Sequence, residues 1–506
     1  MANTILVGSY TRACAFLMLL RGLGYQAHDP QRSWTPLSGG EIGFPFLWLW
    51  VSIFMAVSTP GAADVDRNPS SPALNSIALT MEDAIRLALE RNRPFLNHRL
   101  DRQVQTFSLE VAEDRWTPRF AIEPFTSRDQ QEHKVGIGAE TRLRVPTGGE
   151  FTLRWEETLA EESADPGSQS LLFYQPLLKG AWAAMDSAEV RQARLGEKVH
   201  ALALRQLAAD LIVAVIDAYR ALIGVGRQVE IAAASLRRAR EQLQATRTLI
   251  RAGRVARREA VRSEVAVANR ELALIQARNR LDVSNFRLID ILELHSTARI
   301  HPLDDLQVEP PPAQEPVLED VLRSRADFLQ ATLRVDIAKI LLSVAHNQSL
   351  PDLSLQLELR RDDAGQTDTL VWLGATIPLN DRLPDLGRLS AVNELRKAEL
   401  NVLELRESIG IAMRRAVSDV EVGLRLTELA SGARGLAEQN FVIEQKKFAQ
   451  GLSSSFEVSA TENDLVQTEQ AEVDAIIAYH NALTQLDWIA GRTLERWNVQ
   501  LEEFPE

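Results

Sequence analysis

The sequence predicts a mainly α-helical chain, duplicated internally, in which a long helical coiled-coil barrel carries a transmembrane β-barrel. Three observations predict it. Residues from about 80 to 295 recur, loosely but in order, from about 317 to 491. Each copy holds a stretch of about 70 residues rich in Ala, Leu, Arg, Glu and Gln, 181–252 and 385–450, with no proline after Pro384 in the second. Ahead of each stretch lie alternating apolar and polar residues bounded by prolines. A repeat of this kind fixes architecture before any local reading does.

The match between copies is specific at several points. Leu79-Thr-Met-Glu-Asp-Ala-Ile-Arg86 corresponds to Pro316-Val-Leu-Glu-Asp-Val-Leu-Arg323, and Arg93-Pro-Phe-Leu96 to Ala326-Asp-Phe-Leu329. Tyr174-Gln-Pro-Leu177 corresponds to Thr376-Ile-Pro-Leu379, and Gly253 to Gly451. The junctions between strands and helices fall at Pro118, Pro176, Pro351 and Pro378, because proline cannot donate to a ladder and restricts the residue before it.

Taken in order, residues 1–63 read as a leader. Phe44 to Val57 is strongly apolar but about 14 residues long, short of the roughly 20 that span a bilayer. Gly61 and Ala63 suit a signal-peptidase site, so cleavage is expected near Ala63. The single cysteine, Cys14, follows Thr-Arg-Ala and lacks a lipoprotein pattern. Residues 64–76 are Pro/Ser-rich and read as a flexible lead-in. A first repeat, 77–300, opens with one helix from Thr80 to about Trp116 and continues with strands at about 119–176. The first long helix follows, reverses at Gly253 and returns to about 294. Residues 301–316, with Pro310-Pro-Pro312, form a Pro-rich linker expected to be stiff and extended. A second repeat, 317–495, has one helix to about 350, strands at about 351–378, a long helix and a return helix. Residues 496–506 are a C-terminal tail.

The strand patterns have period two. Leu353, Leu355, Leu357 and Leu359 alternate with Ser354, Gln356, Glu358 and Arg360. Phe151, Leu153 and Trp155 alternate with Thr152, Arg154 and Glu156. Apolar-out, polar-in alternation is what a barrel in lipid requires. No helix after the leader reads as membrane-spanning; Ala208 to Ile216 comes nearest and is interrupted by charge. A helix of about 70 residues is about 105 Å long, far beyond the usual three to four turns, so it belongs to a coiled coil or helical array. The flanking helices in each copy sum to nearly the length of the long one. Each copy therefore supplies two columns of similar height, with the β-region at one end and the glycine reversal at the other.

Composition narrows the function. The chain carries −13, and its first 63 residues are positive by one, leaving −14 on the body. That balance argues against nucleic acid as a partner. There is no phosphate loop and no His-Glu-x-x-His. The eight histidines are scattered. Neither a reaction nor a cofactor nor a bound metal is expected.

These residues resemble the outer-membrane efflux protein family, the TolC-like channel-tunnels, over about 77–495. The family's hairpin tip reads approximately Phe/Arg-x-x-Gly-x-x-Ser-x-x-Asp-Val-Leu. The second copy has Phe448, Gly451, Ser454, Glu457 and Val458, with Glu457 in place of aspartate. In the first copy Arg257 is read at the serine's place and Ala260 at the acid's. That tip carries Arg251, Arg254, Arg257, Arg258 and Arg262. The resemblance implies a homotrimer in the outer membrane, with its helices in the periplasm. It implies a passive duct serving an inner-membrane pump through a periplasmic adaptor. The adaptor would dock on Arg251, Gly253, Arg254, Arg257 and Arg258 of one tip and Gly451, Ser453, Ser454 and Glu457 of the other. Gating contacts are expected between 247–262 and the long helix near 434–445. One departure stands out: Pro118 to Pro176 spans 58 positions and Pro351 to Pro378 only 27. The family's usual four strands per protomer are therefore in doubt here. The rival readings are a periplasmic adaptor and a soluble coiled-coil scaffold; the duplication opposes the first and the leader with alternating strands the second.

Overall fold

The computed structural model describes residues 76–128, 133–158, 167–312, 314–362 and 365–500, all within the unit Pro72–Glu506. The leader, most of the lead-in and the last six residues lie outside that description.

The chain opens with β1 (Ser76–Leu79), then α1 (Met81–Arg91) and α2 (Arg93–Glu113), ending in a single 3-10 turn at Asp114–Trp116. The one helix expected from Thr80 to Trp116 is thus two. Asn92 explains the break: its backbone leaves the helix, and its side chain accepts from Phe95 N while donating to Ile291 O at 3.1 Å. Pro94 then starts the next helix where no N–H is needed. The second copy breaks at the matching place, between α6 (Leu318–Ser324) and α7 (Ala326–Gln348). There Arg325 grips Asp327 at 2.7 Å and donates to Ile489 O.

The strands are β2 (Arg119–Arg128), β3 (His133–Arg144), β4 (Glu150–Thr158) and β5 (Ser168–Pro176) in the first copy. The second copy supplies β7 (Asp352–Asp362) and β8 (Thr367–Thr376). They make one antiparallel sheet in the order β2-β3-β4-β5-β7-β8. The extra length of the first copy is therefore a full additional hairpin. One row across the sheet is Leu143, Phe151, Phe173, Leu357 and Val371; Phe151 and Phe173 stack at 4.5 Å. On the opposite face another row is Glu140, Arg154, Ser170, Arg360 and Asp368. A sheet with one apolar and one charged face follows directly from the alternation.

After a short helix, α3 (Ala183–Asp186), come α4 (Ala188–Arg251) and α5 (Arg258–Leu292). The second copy has α8 (Leu383–Ala449) and α9 (Ser455–Ile489), closed by α10 (Thr493–Arg496). At 64 and 67 residues, α4 and α8 run about 95–100 Å. One window of the helical span 183–251 is apolar enough, at mean hydropathy 1.7, to cross a membrane by composition. That corrects the expectation that no such window existed. Its apolar residues are the core: Ala208, Ile212, Val215, Ile216 and Tyr219 are buried with Ala84, Ile85, Leu288 and Leu292. A smaller core joins Ala416 and Val420 of α8 to Tyr479, Leu483 and Leu486 of α9.

One pairing was not read from the sequence. β1 pairs in parallel with β6 (Arg299–Pro302), held by buried Asn285, which donates to Ala298 O and accepts from Ile300 N. The linker then crosses the helices as an irregular strap. Asp304 accepts from Met81 N and Tyr219 Oη at 2.7 Å each, Asp305 pairs with Arg227, and Tyr479 Oη donates to Glu309 O.

Candidate functional site

The α4–α5 and α8–α9 connections are the two tips. Both reverse the chain through a glycine with left-handed backbone, Gly253 at φ 71° and Gly451 at φ 79°. Open space surrounds both, so torsion alone calls for glycine there. The hydrogen bonds match turn for turn: Gly253 N to Ile250 O and Arg254 N to Leu249 O, against Gly451 N to Phe448 O and Leu452 N to Lys447 O.

That match corrects the alignment of the tips. Ala256 stands where Ser454 does, and Glu259 where Glu457 does; Arg257 and Ala260 are each one place further on. The acid is thus kept in both copies and only the serine is lost. Counting forward from each glycine, rather than matching charged residues, finds this.

In the second tip Ser454 caps α9, and Glu457 returns to Ser454 N at 2.8 Å, a capping box. Ser453 donates to Glu457 at 2.9 Å and also reaches Glu444. These bonds hold both carboxyls below the ordinary carboxylate range: the backbone N–H of Ser454 leads for Glu457, and the Ser453 hydroxyl for Glu444. In the first tip Arg251 donates to Thr248 at 3.2 Å, and Arg258 lies 3.6 Å from Glu259. Arg254 and Arg257 are exposed and make no ion pair with a described residue. One tip thus carries loose positive charge and the other a closed polar network.

The tips are joined. Ser455 donates to the buried Glu259 carboxylate, and Leu249 packs with Ala437, Phe441, Phe448, Val458 and Leu465. Further from the tips, Glu462, only 6 % exposed, accepts from Ser235 at 2.9 Å and Arg238 at 3.3 Å, with Arg270 at 3.8 Å. Arg238 also reaches Glu469 at 3.5 Å. Among the described residues the hydrogen-bonded and ionic links between the hairpins run from α4 and α5 to α9. At residues 434–445 the contact is Leu249 against Ala437 and Phe441, with the Arg238 guanidinium over the Phe441 ring at 5.8 Å, while Arg434 pairs within its own hairpin with Glu472 at 2.8 Å.

At the opposite end, Pro118 and Pro351 stand immediately before β2 and β7, Pro176 is the last residue of β5, and Pro378 follows β8. β2 and β8 each have one unpaired edge among the described residues.

No family model matches the sequence, and no curated protein matches it. Solved structures do. The CmeC outer membrane channel of Campylobacter jejuni is 14% identical at a TM-score of 0.62, covering 81% of this chain and 85% of that one. The outer membrane protein VceC of Vibrio cholerae is 16% identical at 0.62, covering 81% and 96%. The MtrE outer membrane channel of Neisseria gonorrhoeae, in its open state, is 14% identical at 0.63, covering 81% and 88%. The chain has the fold of these TolC-like outer-membrane channels.

Proposed function

We propose that the chain is a passive exit duct in the bacterial outer membrane, assembled as a homotrimer. Its helices would cross the periplasm to meet a periplasmic adaptor and an inner-membrane pump of a tripartite efflux or type I secretion system. The observation that carries this reading is the sheet: one face apolar, the other charged, and both edges open. Lipid tolerates no open edge, so such a sheet must close with copies of itself. The helices support the same reading. Val422, Leu429, Leu436 and Ile443, seven residues apart on α8, are all exposed, as are Leu100, Val104, Phe107 and Val111 on α2. A heptad stripe with nothing against it is half of a coiled-coil seam.

Three copies of six strands give eighteen. At about 4.8 Å between strands and a tilt of about 40°, that barrel is about 36 Å across its backbone. The repeats 77–300 and 317–495 would each contribute two helical columns to the tunnel. The residues from Arg251 to Arg258 and from Gly451 to Glu457 would form six tips for the adaptor.

Fractionation of expressing cells, followed by mass measurement in detergent, tests the reading. An outer-membrane trimer starting near Asp64 is expected; a soluble or inner-membrane monomer would overturn it. Docking is tested separately by reversing charge at Arg254, Arg257 and Arg258. Loss of adaptor crosslinking is expected, and unchanged crosslinking with unchanged export would remove these residues from the surface.

A further inference from the structure

The extra hairpin changes the charge at the end of the sheet next to the helices. Arg119, at the start of β2, lies directly opposite Arg142 of β3. Like charges facing each other across a ladder destabilise it unless an anion intervenes. Two residues further along, on the same face, is Arg144, and Arg115 arrives from the turn after α2. These four guanidinium groups line one cavity of about 410 Å³. Their face is the charged one, carrying Glu140 and Arg154, opposite the Phe151–Phe173 stack.

The carboxylates nearby are already engaged. Glu189 lies 2.6 Å from Arg115, Glu150 is 3.5 Å from Arg144, and Glu140 is shared between Arg154 at 2.7 Å and Arg142. Arg119 is exposed and makes no ion pair with a described residue. Arg115 is 14% exposed, and its buried Nε has no hydrogen-bond partner, the Asp186 carboxylate standing 3.5 Å away. The cavity therefore has four cations, two lining carboxylates and, at Arg119, one guanidinium with no ion pair to a described residue. Guanidinium forks of this kind suit a carboxylate or phosphate group, which they can hold by two parallel bonds.

We propose that this cavity is an oxyanion subsite on the inner wall of the duct, and that the cargo includes small molecules bearing carboxylate or phosphate groups. The proposal rests on the exit-duct reading, which turns the charged face inward. Three copies then set twelve arginines in a ring where the helical tunnel meets the barrel. A ring of fixed cations on a pore wall favours anions. Three of the four, Arg119, Arg142 and Arg144, lie on the longer β-region of the first copy, so the added hairpin alters what the duct conducts as well as how wide it is.

The test uses the purified full-length assembly in planar bilayers, with inorganic tripolyphosphate added on the β-barrel side. Reversible block of the ionic current is expected. The pair Arg119→Gln with Arg144→Gln should raise the half-blocking concentration by about tenfold or more, the loss of two charge-assisted contacts. Arg119→Gln alone, which breaks no ion pair, should move it in the same direction. An equal loss of charge at Arg86→Gln with Arg323→Gln should leave it unchanged. Absence of block in the wild type, as when a lipid headgroup already fills the cavity, overturns the subsite. So does an equal response in the two double variants. A preparation that forms no conducting assembly contradicts the exit duct itself, which separates the two failures.

Discussion

Glu462→Gln tests how the two hairpins are held together. The substitution keeps the shape and the bond from Ser235 but removes the charge that faces Arg238 and Arg270. A buried pair losing one partner costs about 3–5 kcal/mol. Here the loss is smaller, because Arg238 keeps Glu469 and both arginines reach water, at 22% and 18% exposure. Hydrogen bonds to charged groups are worth about 1.5–3 kcal/mol, so the expected loss is about 2 kcal/mol, or about thirtyfold in the population with the hairpins apart. Amide hydrogen exchange of the assembled protein reads this directly. Residues 455–470 should exchange about thirtyfold faster, provided that local opening governs exchange there. Arg434→Gln, which breaks a pair within one hairpin, should leave that segment unchanged. Equal exchange in Glu462→Gln and wild type, with assembly intact, would refute the idea that this network joins the hairpins.

Other outcomes follow from the same geometry. Gly451→Ala places a Cβ on a left-handed backbone and should lower stability by about 1–2 kcal/mol, read as a lower melting temperature. Ser454→Ala removes the cap of α9 and should cost about 1 kcal/mol, with faster exchange confined to its first turn. His480 is buried with an unpartnered Nε2; burial first, then the Arg220 guanidinium, pushes its pKa below the ordinary 6.5, with Glu309 and Arg496 also facing it. A depressed histidine stabilises the fold above its unfolded pKa, and that contribution is lost as pH falls. Melting temperature should therefore drop below pH 6.5, and His480→Gln should flatten that slope.

Much of this fold is legible in the sequence, for identifiable reasons. The long helices show because α4 and α8 lack interior proline and keep their composition over 64 and 67 residues. The glycine reversals show because a left-handed residue needs glycine and both copies place one there. The break at Asn92 is marked by Pro94, which suits only the first turn of a helix, whereas the break at Arg325 does not show, since it depends on the carbonyl of Ile489, far away in sequence. β1 and β6 are hidden for the same reason: four residues each carry no periodicity, and Asn285 and the strap hold them. The additional hairpin was visible as length, but its pairing depends on the partner rows. At the tips, the turn hydrogen bonds fix Glu259 level with Glu457. The cavity at Arg119 and Arg142 could not be read at all without the register that sets them opposite.

Imaging of the assembled particle in a lipid disc, with its mass measured alongside, tests the central claim most directly. The account predicts three chains closing one barrel of eighteen strands, with β2 of each copy paired to β8 of the next. A particle of another stoichiometry, or a trimer in which those two edges stay unpaired, would contradict it.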